Sequence, residues 1–280
     1  MYKIETHLHT VTVSKCAHLE PEVLIRGYKE AGYDGIIVTD HYNRTTFDYL
    51  GIPTTGPEDK AEAFLAGYRA MAELGEKAGI RVFKGAEIRF DESENDYLIY
   101  GFADDLLREP EELFRMGIAA FSSLARAEGV LVVQAHPYRK KCTPAIAQYL
   151  DGVEVRNMNP RHDSRNALAQ EYAEQFGLLG LAGSDCHRTE DIGLAGGDFS
   201  LMGQGLLKLS HLPAGTELLG GDLVVTSGLG GYYPSGLVIG SVKEVRLDDS
   251  GATQYAVLEP SARFDELVEV FVVKSFEIVS

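Results

Sequence analysis

Seven histidine and carboxylate side chains, spread over almost two hundred residues, each sit just past a short apolar run. His7 and His9 close the segment Thr6-His7-Leu8-His9-Thr10, and His41 follows Ile36-Ile37-Val38-Thr39-Asp40. Glu87 ends Val82-Phe83-Lys84-Gly85-Ala86, and His136 ends 130–135. Asp185 and His187 follow Leu181-Ala182-Gly183-Ser184. In a barrel-like α/β fold the C-terminal ends of successive strands converge, so positions this far apart can share one site. Imidazole and carboxylate donors suit Zn, Mn or Fe(II). The pattern therefore points to a multinuclear metal site that supports hydrolysis.

Up to about residue 190, strand and helix alternate. Short β-branched runs fall near 2–6, 35–39, 81–88, 97–102, 130–135, 152–156 and 179–183. Helical stretches separate most of them. Pro21 stands at a tolerated first-turn position and Gly32 closes the first helix. Residues 58–78 carry Ala, Leu and Met at helical spacing as far as Gly79. Residues 110–127 and 163–176 read as two more helices, the second capped by Asp163 or Ser164. Seven strands with interleaved helices predict a distorted seven-stranded parallel (β/α) barrel over 1–197. The connection 42–57, rich in Thr, Gly and Pro, reads as a long loop over the site.

After about residue 197 the texture changes. Short β runs at 222–226, 236–242, 254–258 and 269–273 alternate with turns at Gly228, Gly230, Gly231 and Asp248-Asp249-Ser250-Gly251. They predict a small all-β module over 198–280. Residues 188–197 are too short and glycine-rich for a full closing helix.

The net charge of −16 argues against long nucleic acids, whose backbones need a basic face. It leaves room for a small phosphorylated substrate, since bound cations dominate the local charge. No apolar stretch approaches the ~20 residues of a membrane span. The N-terminus lacks the apolar core of a signal peptide. Three cysteines without zinc-finger spacing read as reduced thiols. Together these predict a cytoplasmic protein without membrane contact.

The ordered motifs Thr6-His7-Leu8-His9-Thr10, Thr39-Asp40-His41, Gly85-Ala86-Glu87, Ala135-His136-Pro137 and Gly183-Ser184-Asp185-Cys186-His187 resemble those of the PHP (polymerase and histidinol phosphatase) superfamily over about 1–195. The resemblance implies two or three divalent ions (Mn, Zn or Fe) and hydrolysis of phosphoesters. It implies a first ion held by His7, His9, Glu87 and Asp185, with Glu87 bridging to a second on His136. His41 and His187 would hold a third. Two positions depart from the pattern. Asp96 stands where many relatives carry a histidine, and Lys15 stands where relatives carry His or Asp, so His18 or Cys16 would have to serve.

Other residues have roles the sequence leaves more open. Arg139, three residues after His136, is placed to grip a phosphate oxygen with its planar fork. Asp40 reads as orienting a ligand. Glu154 suits either orienting a ligand or capping a helix, and Asn157 and Asn159 either line the pocket or make a turn. Strand alternation turns Cys186 away from the ligands beside it.

A second resemblance begins near residue 197. Gly221–Gly231 and Tyr233–Gly240, read with 267–273, resemble the end of the MreC family of bacterial rod-shape proteins. That family implies a β-barrel-like piece acting in cell-wall elongation and self-association. The expected function is metal-dependent hydrolysis of a small phosphorylated metabolite or nucleotide, with self-association through 198–280. The alternatives are a histidinol-phosphate phosphatase and a non-catalytic, metal-stabilised scaffold linked to cell shape.

Overall fold

The computed structural model describes residues 2–198, 206–213, 215–227, 234–247 and 253–262. Two compact units divide the chain after Asp198.

The first unit is built on strands β1 (Lys3–Leu8), β2 (Gly35–Val38), β3 (His41–Tyr42), β4 (Arg81–Arg89), β5 (Asp96–Tyr100), β6 (Leu131–Gln134), β7 (Gly152–Asn157) and β8 (Leu179–Gly183). Neighbours run β8-β7-β6-β5-β4-β2-β1, with β3 paired to β4 off this path. The sheet curls into a nearly closed barrel. A parallel bridge between Leu8 and Cys186 joins its ends: Cys186 N–H donates to His7 O, and His9 N–H to Cys186 O, both at 3.1 Å.

The seven expected strands are present, but the barrel is not all parallel. Strand β5 runs antiparallel to both β4 and β6. The chain passes from β4 to β5 through a six-residue link too short for a crossover helix, so it can only turn back. Reversal carries the first residue of β5, Asp96, to the end of the barrel where the other strands finish.

Helices α1 (Pro21–Glu30), α2 (Arg44–Leu50), α3 (Lys60–Phe64), α4 (Ala66–Ala78), α5 (Pro110–Glu128) and α6 (Asn166–Phe176) accompany the strands. Pro21 opens α1, and Gly79 ends α4 in the left-handed conformation. The connection 42–57 is not a plain loop. It begins in β3 and contains α2, whose first turn is capped by the Asn43 side chain on Thr46 N–H. The helical run 58–78 divides at Leu65 into α3 and α4. Helix α6 starts at Asn166 after a left-handed Arg165 and has no side-chain cap. Asp163 bonds Arg165 N–H instead, and Ser164 turns toward Asn157. Helix α5 kinks at Gly117, φ 73°, where Glu92 takes the Ile118 N–H at 2.7 Å.

An aromatic cluster packs this unit. The Tyr42 ring lies 4.9 Å from Phe64 and 5.4 Å from Phe47 and Phe114. All four are buried, and truncating one to alanine costs about 3–5 kcal/mol. A second cluster gathers Leu8, Leu24, Tyr28, Ile36, Met71 and Cys186. The short strand β9 (Gly197–Asp198) pairs antiparallel with β1, after a single 3-10 turn at Thr189–Asp191.

The second unit holds an antiparallel sheet in the order β10-β13-β12-β11, with β10 (Leu207–Pro213), β11 (Leu223–Val225), β12 (Val238–Leu247) and β13 (Thr253–Pro260). Val242, Ala256 and Leu258 form its buried centre. Strand β10 has no counterpart among the β runs read from the sequence. The turns at Gly228, Gly230, Gly231 and Asp248–Gly251, and the run at 269–273, lie outside the described residues.

Candidate metal centre

His7 and His9 share one face of the chain at the end of β1, because side chains along a strand alternate. Leu8 points the other way, into the cluster with Cys186. His7 Nδ1 donates to Glu154 Oε1 at 2.9 Å, which turns Nε2 toward the barrel end. Strand β8 passes close beneath: a Cβ on Gly183 would lie 2.5 Å from His7 Cβ and 2.8 Å from Glu154 Oε1. Only glycine fits there. His136 and Asp185 follow strand ends with φ of 29° and 52°, left-handed values that aim both side chains inward.

Four donor atoms then meet. His7 Nε2 lies 3.5 Å from Glu87 Oε2 and 3.6 Å from Asp185 Oδ1. His9 Nε2 lies 3.4 Å and 3.3 Å from the same two oxygens. Two donors that share one cation at ~2.1 Å bond lengths stand roughly 3–3.6 Å apart. His7 Nε2, His9 Nε2 and Glu87 Oε2 are buried without a hydrogen-bond partner. Buried polar atoms are rarely left unpaired, so this donor set fits a cation in both spacing and chemistry. The other Glu87 oxygen, Oε1, lies 3.1 Å from His136 Nε2.

A further corner is built from histidines. Ring nitrogens of His9, His41 and His187 lie within 4.8 Å of one another. The His9 ring centroid is 4.3 Å from that of His41 and 4.4 Å from that of His187. His41 pairs in register with Glu87 through β3, and its Nδ1 lies 2.8 Å from Glu87 Oε2. His18 is exposed, with no side-chain bond into the cluster; its N–H holds His187 O at 2.9 Å. Cys16 comes to the site instead, its Sγ 3.2 Å from His187 Nε2. Asp96 is split in its loyalties. It sits near His41 and Glu87 but is bound by the Arg89 fork at 2.7 and 2.6 Å.

Charge is distributed to match. Burial lowers the pKa of His7, but Glu154, Glu87 and Asp185 outweigh it and hold His7 well above the ordinary imidazole value. Burial likewise opposes protonation of His41 and His136. Glu87 raises His41 strongly, while Cys142 and Glu87 bring His136 to about 9. His9, pressed by burial and by His41 and His187, falls well below. Glu87 and Asp185 stay ionised: burial would raise them, but the surrounding histidines lower both well below the carboxylate range. Without metal, protons on the histidines balance the carboxylates, and a bound cation would displace them.

The supporting residues are placed as follows. Glu154 Oε2 accepts from His136 N–H at 3.0 Å and from Asn157 Nδ2 at 2.9 Å, so it orients ligands and caps no helix. Asp40 bonds neither neighbouring histidine ring. It accepts from Thr10 N–H at 2.7 Å, from Thr10 Oγ1 and from Ser14 Oγ, and Ser14 Oγ in turn accepts from His41 N–H. Burial lifts its pKa to about 6. Arg139 Nη2 donates to Asp185 Oδ2 at 2.7 Å and Asn157 Oδ1 at 2.8 Å, while its Nε is buried and unpartnered. Asn159 Nδ2 holds Asp185 O at 3.1 Å. The opening above is a cavity of about 290 Å³ walled by Arg139, His41, His136, His187, Asn159 and Cys16, among others.

One buried residue escaped the sequence reading. Glu5 Oε1 accepts from Thr6, His7 and Ser184 N–H at 2.9–3.0 Å, and Oε2 from Tyr28 Oη and Ser184 Oγ. It ties the His-x-His strand to the Asp185 strand. Strand alternation gave no signal for it, because a register irregularity between Glu5 and Leu8 breaks the period before His7.

The sequence comparisons agree with this geometry. The PHP domain family model matches residues 5–202, which carry every ligand described above. The chain belongs to the PHP domain family. A PHP-like relative in the solved structures, a two-domain protein from Bacteroides vulgatus containing a predicted PHP-like metal-dependent phosphoesterase, superposes with a TM-score of 0.51 at 18% identity. The match covers 68% of this chain and 53% of that one, and at this identity the likeness is one of fold. A model of the rod shape-determining protein MreC, barrel core, matches residues 181–274, so the two family matches overlap at 181–202. The cell shape-determining protein MreC of Listeria monocytogenes is 42% identical over 69 residues, 25% of this chain and 23% of that protein. Its Escherichia coli counterpart is 43% identical over 61 residues, 22% of this chain and 17% of that protein. The chain thus spans less than a quarter of the length of these curated relatives. Among the described residues no helix is long and apolar enough to cross a membrane.

Proposed function

We propose that residues 2–198 form a metal-dependent phosphoesterase acting on a small phosphorylated metabolite or nucleotide. The observation that carries this reading is the meeting of four buried donors, three of them without a hydrogen-bond partner, with each histidine nitrogen 3.3–3.6 Å from both carboxylate oxygens. His7, His9, Glu87 and Asp185 would hold one ion. Glu87 Oε1 and His136 would hold a second, and His41 and His187 a third. Bound there, divalent ions supply Lewis acidity toward a phosphoryl oxygen and an acidified water as nucleophile.

The chain's own groups prepare that chemistry. Glu154 fixes His7 in the tautomer that leaves Nε2 free to coordinate. Asp185 divides its two oxygens, Oδ1 toward the histidines and Oδ2 toward Arg139 and Asn157. Arg139 is thereby held at the cavity wall, where its fork offers charge to a phosphate oxygen. The cavity of about 290 Å³ suits a small ligand, and the net charge of −16 disfavours a polymer.

The test is phosphate release from a panel of phosphomonoesters and short nucleotides with Mn²⁺, with the His7→Ala variant alongside. Loss of one ligand should lower turnover on the order of 10³-fold or more, the several kcal/mol a metal contributes to a phosphoryl transition state. Equal release by the variant would sink the reading.

A further inference from the structure

We infer that Ser14 is a positioning residue of the centre: its hydroxyl takes the hydrogen of His9 Nδ1, which leaves His9 Nε2 bare for a cation. This inference rests on the proposal that the cluster is a metal centre. A serine hydroxyl has one hydrogen to give and two lone pairs that accept. Ser14 is wholly buried, and all three are accounted for. Its hydrogen goes to Asp40 Oδ1 at 2.7 Å, and one lone pair accepts from His41 N–H at 3.0 Å. The other faces His9 Nδ1 at 3.5 Å. With its hydrogen spent on the carboxylate, Ser14 can only accept from that ring, so the proton belongs on Nδ1 and the lone pair on Nε2. The contact is long and contributes little energy of its own. Its effect is to choose a tautomer, because a bare Nδ1 would set two lone pairs against each other.

The choice holds while the Ser14 hydrogen stays on Asp40, and the surroundings keep it there. Asp40 also receives Thr10 N–H at 2.7 Å and Thr10 Oγ1 at 2.8 Å. The first turn of α4 stands against it: a Cβ on Gly67 would lie 2.6 Å from Asp40 Oδ2, so the carboxylate has no room to swing away. The Ser14 backbone is pinned as well, its N–H on Thr10 O at 2.9 Å and its carbonyl on Ala17 N–H at 3.0 Å. His7 has the same need met more directly, by Glu154 on its Nδ1. For His9 a hydroxyl stands between ring and carboxylate, which explains how Asp40 serves the centre while touching no imidazole. Through the His41 N–H the same hydroxyl also fixes the backbone of a second ligand.

Two acceptors compete for the proton at the other end of the ring. Asp185 Oδ1 and Glu87 Oε2 lie 3.3 and 3.4 Å from His9 Nε2. Without Ser14 the proton should move to that side, where a cation would have to displace it.

The experiment reads imidazole-nitrogen NMR from the metal-free full chain labelled at histidine, at about pH 8, where the His9 ring is neutral. The His9 signals are assigned by their loss in His9→Gln. In the wild type Nδ1 should carry the proton. In Ser14→Ala the proton should move to Nε2, and Zn²⁺ affinity, by competition with a metal indicator, should fall about 10–100-fold. Ser184→Ala removes another buried hydroxyl at the same end of the barrel, one bonded to Glu5 and Tyr28, and should leave the His9 tautomer as it is. A bare Nδ1 in the wild type, a tautomer unmoved in Ser14→Ala, or an equal shift in Ser184→Ala would each overturn the inference. The wild-type measurement decides even if Ser14→Ala does not fold. The expected tautomer in a protein that takes up no Zn²⁺ would instead overturn the metal-centre reading, and with it the use of the tautomer.

Discussion

Two buried glutamates stand at the same end of the barrel, and they are opposites. Glu5 receives five hydrogen bonds, three from backbone N–H groups, so both its oxygens are spoken for. Glu87 keeps one oxygen without a hydrogen bond, though ring nitrogens of His41, His9 and His7 crowd it at 2.8–3.5 Å and it is equally inaccessible to water. Burial pushes the Glu5 carboxyl up and its donors pull it back, whereas Glu87 is held ionised by imidazoles. Full satisfaction marks a group that holds the fold. An orphaned, inward-facing oxygen marks one waiting for something the chain itself does not supply.

The largest effect that would sharpen this contrast is on stability. Glu5→Ala would strand three backbone donors and the Tyr28 hydroxyl, at a cost of about 3–5 kcal/mol in urea unfolding of the metal-free protein. Glu87→Gln should lower that stability far less while abolishing metal uptake. Comparable losses for the two variants would break the comparison.

Next comes the layer between them. Glu154→Gln keeps the shape of the side chain but weakens its hold on the His7 proton. Cation affinity should fall about 10–100-fold by competition with a metal indicator, with little change in unfolding. A smaller effect is on pH dependence. The folded pKa of His136, about 9, lies above the ordinary 6.5, so its contribution is fully present below 6.5 and fades as pH rises through 9. Metal-free protein should therefore lose stability between about pH 7 and 9.5, and less so as His136→Gln, while metal affinity rises over the same range. Denaturation curves at the two pH values check the sign.

Much of this was legible in the sequence, for definite reasons. His7, His9, Glu87, His136 and Asp185 announced themselves because each follows a buried run, and strand ends gather in a barrel. The reversed strand β5 was not legible: its apolar run reads the same in either direction, and only the short link from β4 forces the turn. Asp96 was therefore noticed without its reason, which is that a reversed strand offers its beginning to the site. Glu5 was missed because an acidic residue inside a strand ordinarily faces water. His18 was favoured over Cys16, yet it is Cys16 whose side chain reaches His187, while His18 is exposed and meets His187 only through its backbone N–H. The kink at Gly117 depends on Glu92, twenty-five residues away in sequence, which no local pattern contains.

Gly183 has a consequence for how such a centre could diversify. A single methyl group there would collide with His7 and with the Glu154 oxygen that orients it. That closeness couples β8 to β1 so tightly that neither strand can be remodelled to admit a larger substrate. New specificity would have to arise in other residues of the cavity wall, such as Lys140, Lys141 and His162. Selection working on this barrel would thus leave its floor untouched and write its variety around the rim.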